Sequence, residues 1–115
     1  MSEQPRHGTD FPVHWVSKDA RYKIVEFMLS TRSITELARI LGISPTAVRK
    51  YVKRLSHPSD EILTRAIEQA APYEKDTVIA IIIDDLVEAL KKLYNSVDER
   101  HRRELKEKLS SLTGF

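Results

Sequence analysis

Between residues 44 and 54 the chain reads SPTAVRKYVKR, and its reactive groups are hydroxyls and cations. No histidine, cysteine or carboxylate stands among them, so the chemistry on offer is binding rather than bond-breaking. The planar guanidinium fork of Arg49 matches the two acceptors on a guanine edge, whereas a lysine ammonium is a point charge suited to phosphate. Arg49 is therefore the candidate base reader. Lys50, Lys53 and Arg54 are candidate phosphate partners, and Thr46 suits a thymine methyl or a phosphate. Ser44 and Pro45 stand at the tip of this segment, and Ser33 and Thr35, at an earlier helix start, could also donate to phosphate. The competing reading is a solvated helix face. Against it, the bases are not interleaved with acids: Glu36 is the only carboxylate from residue 27 to residue 59.

Such residues need a frame, and the pattern predicts an all-α one. Ser17 can cap a first helix, SKDARYKIVEFMLS, with Asp19 favourable to its dipole and Tyr22, Ile24, Val25, Met28 and Leu29 mainly on one face. Ser33 and Glu36 have the spacing of a reciprocal capping box, which opens a second helix burying Ile34, Leu37, Ala38 and Leu41. Gly42 ends that helix because glycine enters the left-handed region without steric cost. A third helix starts at once from Ser44 and Pro45, with Val48, Tyr51, Val52 and Leu55 inward. Thr46, Arg49, Lys50 and Lys53 then point outward.

After the His57-Pro58 break, Ser59 with Asp60 and Glu61 starts a fourth helix, DEILTRAIEQA, which Pro72 is expected to end. From about Asp76 the apolar run VIAIII fits either a strand or a helix. Helix is preferred because no second strand exists for it to pair with. The long helix TVIAIIIDDLVEALKKLYN is followed by one opened by Ser96 and Glu99, with Leu105, Leu109 and Leu112 on one side.

Composition narrows the class further. At 115 residues, 41% hydrophobic and 31% charged, the chain has enough material for one modest core and an appended element. The absence of cysteine removes disulfides and thiolate metal sites. His7, His14, His57 and His101 share no ligand spacing, so no metal or cofactor is expected. Asp84 and Asp85 diverge by about 100° on a helix, unsuited to an acid/base pair, and no glycine-rich phosphate loop appears. No enzyme is expected. No signal-like or membrane-spanning run is visible, which predicts a cytoplasmic protein. One Asn and two Gln beside abundant Ile, Lys, Arg and Glu is a bias reported for proteins of hot environments.

The net charge of +2 hides an asymmetry. Residues 1–57 carry ten Lys+Arg against five Asp+Glu, and residues 58–115 nine against twelve. The basic half is where a polyanion belongs. Within the arm formed by residues 1–16, Phe11 and Trp15 are expected to anchor the chain to the body, and Arg6 could enter a minor groove. Tyr51 is expected to pack rather than to stack on a base.

Taken together, SITELARILGISPTAVRKYVKRL resembles the DNA-binding core of the Cro and phage-repressor superfamily, a helix-turn-helix group. HPSDEILTRAIEQA resembles the helix pair that follows it there. The resemblance covers about residues 17–71 and implies double-stranded DNA as partner, read by the leading end of the third helix in the major groove. The rest of the chain, residues 72–115, carries more apolar surface than four small helices can cover. Ile79, Ile82, Ile83, Leu86, Leu90, Leu93, Leu105 and Leu109 are the candidate dimerisation residues, beside Val78, Ile81 and Val87. The domain expectation is thus an arm, a helix-turn-helix bundle of four to five helices and a dimerising helical extension. The functional expectation is a homodimeric transcriptional regulator. Alternatives are an architectural, partitioning or mobile-element accessory protein whose C-terminal helices recruit another protein, and a protein-interaction module that binds no DNA.

Overall fold

The computed structural model describes residues 11–114. Arg6 and His7, with the rest of residues 1–10, lie outside the described residues. Within them the protein is all-α: α1 Lys18–Leu29, α2 Ile34–Leu41, α3 Pro45–Val52, α4 Asp60–Gln69, α5 Pro72–Ser96 and α6 Glu99–Thr113, preceded by a 3₁₀ turn at Val13–Trp15. No strand occurs among the described residues. The apolar run at 78–83 lies inside α5, as the lack of a pairing partner predicts. The chain divides into two compact units, the first ending at Asp85 and the second starting at Leu86.

Helix starts follow the serine code closely. The hydroxyls of Ser17, Ser33, Ser44 and Ser59 accept the N–H groups of Ala20, Glu36, Ala47 and Ile62 at 3.1, 3.0, 3.1 and 3.2 Å. At Ser33 only the serine half of the expected box is made, since the Glu36 carboxylate lies 3.8 Å from Arg39 instead. Two predicted boundaries move. Pro72 opens α5 rather than closing α4, because a proline at the first helical position forfeits no bond the helix would have made. The last helix is capped by Asp98, whose carboxylate accepts from His101 N–H at 3.0 Å, while Ser96 bonds back to Lys92 O inside α5.

In the first unit α2 packs on α3 and α4, and α1 on α2 and α3. Ile24, Met28, Leu37, Leu41, Val48, Leu63 and Val78 are fully buried where these helices meet, so the core lies directly behind the turn between α2 and α3. The N-terminal part of α5 completes that core through Glu74, Val78 and Ile82. Two expectations about packing are corrected. Trp15 is 71% exposed, its ring T-shaped to that of His14, and the chain before α1 is anchored by buried Val16. Val52 and Leu55 are 43% and 72% exposed rather than inward, because α3 stops at Val52 and the chain turns at Arg54.

Buried polar groups fix the elements to one another. The guanidinium of Arg21 donates to Val13 O, Val16 O and Pro58 O at 2.7, 3.0 and 2.8 Å and to Asp60 Oδ1 at 2.7 Å, clipping the entry to α1 onto the start of α4. Hydrogen bonds from Arg21 and then from His14 hold the Asp60 carboxyl below its ordinary range. Asp85 accepts from both Ser17 N–H, at 2.8 Å, and the Ser17 hydroxyl, tying α5 to the N-terminus of α1.

The second unit consists of the rest of α5 and α6, joined through Val97 and Asp98. At this join Arg102 Nε donates to Tyr94 O at 2.8 Å, and Arg102 and Lys106 lie over the Tyr94 ring.

Candidate nucleic-acid interface

The turn between α2 and α3 is built on Gly42, at φ +71° and ψ 33°. Ile43 N–H reaches back to Ala38 O at 3.0 Å and Gly42 N–H to Arg39 O at 3.2 Å, the paired bonds of a Schellman ending. Arg65, held by Glu61 at 2.7 Å, donates to the freed carbonyl of Leu41 at 2.9 Å. A Cβ on residue 42 would lie 3.0 Å from Arg65 Nη1, besides its left-handed strain. Gly42→Ala is therefore expected to lower stability by about 1–2 kcal/mol, read as a shift in denaturant midpoint. An unshifted midpoint would show that the turn tolerates a side chain.

Three residues, 42 to 44, separate the end of α2 from the start of α3. Buried Val48 and Tyr51 hold it inward, and burial pushes the Tyr51 phenol pKa up, in keeping with a packing role for that ring. On the other side Thr46, Arg49, Lys50 and Lys53 are all exposed, spread over an arc of about 100° at helical pitch. Arg49, Lys50 and Lys53 make no ion pair among the described residues. Three such cations on one face, with no acid to neutralise them, make a surface for polyanions.

The other predicted residues divide into two groups. Ser44 and Pro45 are at the leading end of α3, where the serine hydroxyl serves as cap acceptor and the proline is half-buried. Ser33 and Thr35 are exposed at the leading end of α2, Ser33 likewise engaged as cap. Arg54 differs from its neighbours. It adopts φ +59°, its N–H bonding Tyr51 O at 3.0 Å while Leu55 N–H bonds Lys50 O at 2.9 Å, so a non-glycine residue makes the left-handed stop of α3. Its guanidinium is 3.0 Å from Glu26 and 4.0 Å from Asp19, and 4.6 Å from the centre of the Tyr22 ring. Arg54 thus anchors the end of α3 to α1, and its charge is already partly matched.

One positioning group escaped the sequence reading. The Glu74 carboxylate, 0% exposed, accepts from Thr31 Oγ1 at 3.0 Å, from Arg32 Nη1 and Nη2 at 3.0 and 2.8 Å, and from Ala71 N–H at 2.9 Å. It fastens α5 to the turn that leads into α2. The signal for it was present: a glutamate two residues after a proline at the first helical position is the acidic half of a capping box, here with Ala71 at the cap.

A short helix, a three-residue glycine turn and a second helix with a bare cationic side define a helix-turn-helix domain, a class whose usual partner is DNA. Comparison with known families agrees: residues 20–57 match the model of a helix-turn-helix domain. No curated protein and no solved structure matched the chain. No helix among the described residues is long and apolar enough to cross a membrane, and no described cluster of histidine and carboxylate side chains could hold a metal ion.

Proposed function

We propose that this protein binds double-stranded DNA sequence-specifically, as a Cro-like, non-catalytic, homodimeric transcriptional regulator. The observation that carries the reading is the free cationic face of α3, with Arg49, Lys50 and Lys53 exposed and unpaired among the described residues, beside a capped leading end. In this reading α3 enters the major groove tip first. Arg49 reads a guanine, Thr46 a neighbouring thymine or phosphate, and Lys50 and Lys53 hold the backbone. Ser33 and Thr35, with the amides at the start of α2, meet phosphate on the flank. Arg54 contributes to the field while bracing the helix.

The two kinds of contact separate by substitution. Arg49→Ala is expected to cost about 1–3 kcal/mol on the preferred site and to relax its sequence at one position. Lys53→Ala is expected to weaken all sequences alike and to lower the salt slope by about 1. Binding of both variants indistinguishable from wild type would overturn the assignment. Dimerisation through the C-terminal helices is part of the same reading, since paired copies would offer two such helices to a two-fold symmetric site. Of its candidate residues, Ile82 is buried in the first unit, while Ile79, Ile83 and Leu93 are exposed.

A further inference from the structure

The carbonyl of Leu41, last in α2, has no backbone donor. Four residues on stands Pro45, which carries no N–H, and no other main-chain group among the described residues bonds this oxygen. What reaches it is a side chain from beyond the segment matched as a helix-turn-helix: Arg65 of α4, whose Nη1 donates at 2.9 Å. The other arm of the fork, Nη2, is held by Glu61 one turn earlier in α4, at 2.7 Å. The same Nη1 lies 3.0 Å from the place a Cβ on residue 42 would take. Arg65 therefore meets the turn at the last carbonyl of α2 and at the left-handed glycine from which the chain departs toward α3.

Two other arginines of the first unit are used in the same way. Arg32 donates to Met28 O in the last turn of α1 while Glu74 of α5 holds it, and Arg54 stops α3 while Glu26 of α1 holds it. Arg32, Arg54 and Arg65 thus each serve one helix end and each have a carboxylate partner, at 2.8, 3.0 and 2.7 Å. Arg49, Lys50 and Lys53 have no such partner among the described residues. A cation already matched by an acid adds less to the field that draws a polyanion, so Arg65 suits fixing a direction rather than attracting phosphate.

The direction of α3 matters unequally for the two kinds of DNA contact. Phosphate attraction is long-ranged and tolerates tilt, whereas a bidentate bond from Arg49 to a guanine edge needs both N–H groups in line. We propose that Arg65 is a positioning residue for sequence reading: by clasping Leu41 O above Gly42 it sets the angle at which α3 is presented. This rests on the DNA-binding reading above and adds α4 to the apparatus that discriminates between sequences.

Arg65→Lys keeps the charge but not the planar fork that spans Leu41 O and Glu61. Its affinity for the site selected from random duplex is expected to fall about tenfold. Affinity for unrelated duplex, and its salt dependence, should stay within about twofold of wild type. Without DNA, amide exchange at Ile43, whose N–H bonds Ala38 O, should quicken about tenfold with the helical circular dichroism unchanged. If Arg65→Lys matches wild type on both duplexes while Arg65→Ala is weaker on both alike, the residue is a phosphate contact and the proposal is overturned. An unchanged ratio of the two affinities beside faster exchange would overturn it as well, since that is the mark of a purely structural role. A wild type that prefers no sequence would overturn the DNA reading and this role with it, whereas failure of the ratio in the variant alone leaves that reading standing.

Discussion

Replacing Glu74 by alanine is expected to lower the free energy of unfolding by about 3–5 kcal/mol, the usual cost of removing one partner of a buried ion pair. The loss is large because the carboxylate satisfies four donors at once and is itself shielded from water. Without it the Arg32 guanidinium, only 10% exposed, keeps its bond to Met28 O at 2.9 Å but loses its counter-charge. Glu74→Gln restores shape and some hydrogen bonding without charge, and should fall between alanine and wild type.

The pair also sets a pH signature. Hydrogen bonds from Arg32, first among several causes, hold the Glu74 carboxyl below its ordinary value of 4.5. The folded state therefore binds this proton less readily than the unfolded chain. The stabilisation is fully present above the ordinary value and is lost as pH falls through the depressed folded one. Chemical denaturation at neutral pH and in acid checks both points. The variant should lose most at neutral pH and show a shallower acid decline, and equal midpoints for variant and wild type would contradict the role assigned to Glu74. Because Arg32 immediately precedes the cap of α2, the same change should loosen the entry to the helix-turn-helix.

Removing Arg49, Lys50 and Lys53 together by alanine is expected to reduce DNA affinity by about two to three powers of ten at low salt. The slope of log K against log salt should fall by about 2–3, close to 0.9 for each phosphate that the protein no longer neutralises. All three side chains are exposed and none is paired within the described residues, so their removal should leave stability within about 0.5 kcal/mol of wild type. That separation of binding from folding is what makes the experiment informative. Titration of a labelled duplex at several salt concentrations, beside a denaturation curve, reads both quantities. An unchanged slope would mean that phosphate is met by some other surface.

Much of this arrangement is legible in the sequence because it is written in local rules. Serine caps at 17, 33, 44 and 59, glycine at 42 and proline at 45 each act within a few residues, and each falls where those rules put it. The outward direction of Thr46, Arg49, Lys50 and Lys53 follows from the inward direction of Val48 and Tyr51 alone. What is not legible depends on partners distant in the chain. Arg54 reads as another free cation because Asp19 and Glu26 are about thirty residues away, and its left-handed backbone, which stops α3 and turns Leu55 outward, has no glycine to announce it. Two of the groups that bond Glu74, Thr31 and Arg32, stand more than forty residues earlier in the chain, where no local rule reaches. Pro72 misleads for a different reason: proline serves both as a terminator and as a first helical residue, and only the glutamate two positions later distinguishes the two.

Selection of bound sequences from random duplex DNA tests the central claim most directly. If the face carrying Arg49, Lys50 and Lys53 is the binding surface, the wild type should enrich a defined motif, and the Arg49→Ala chain should enrich the same motif with one position degenerate. Recovery of an unenriched pool by the wild type, or of an identical motif by both chains, would contradict it.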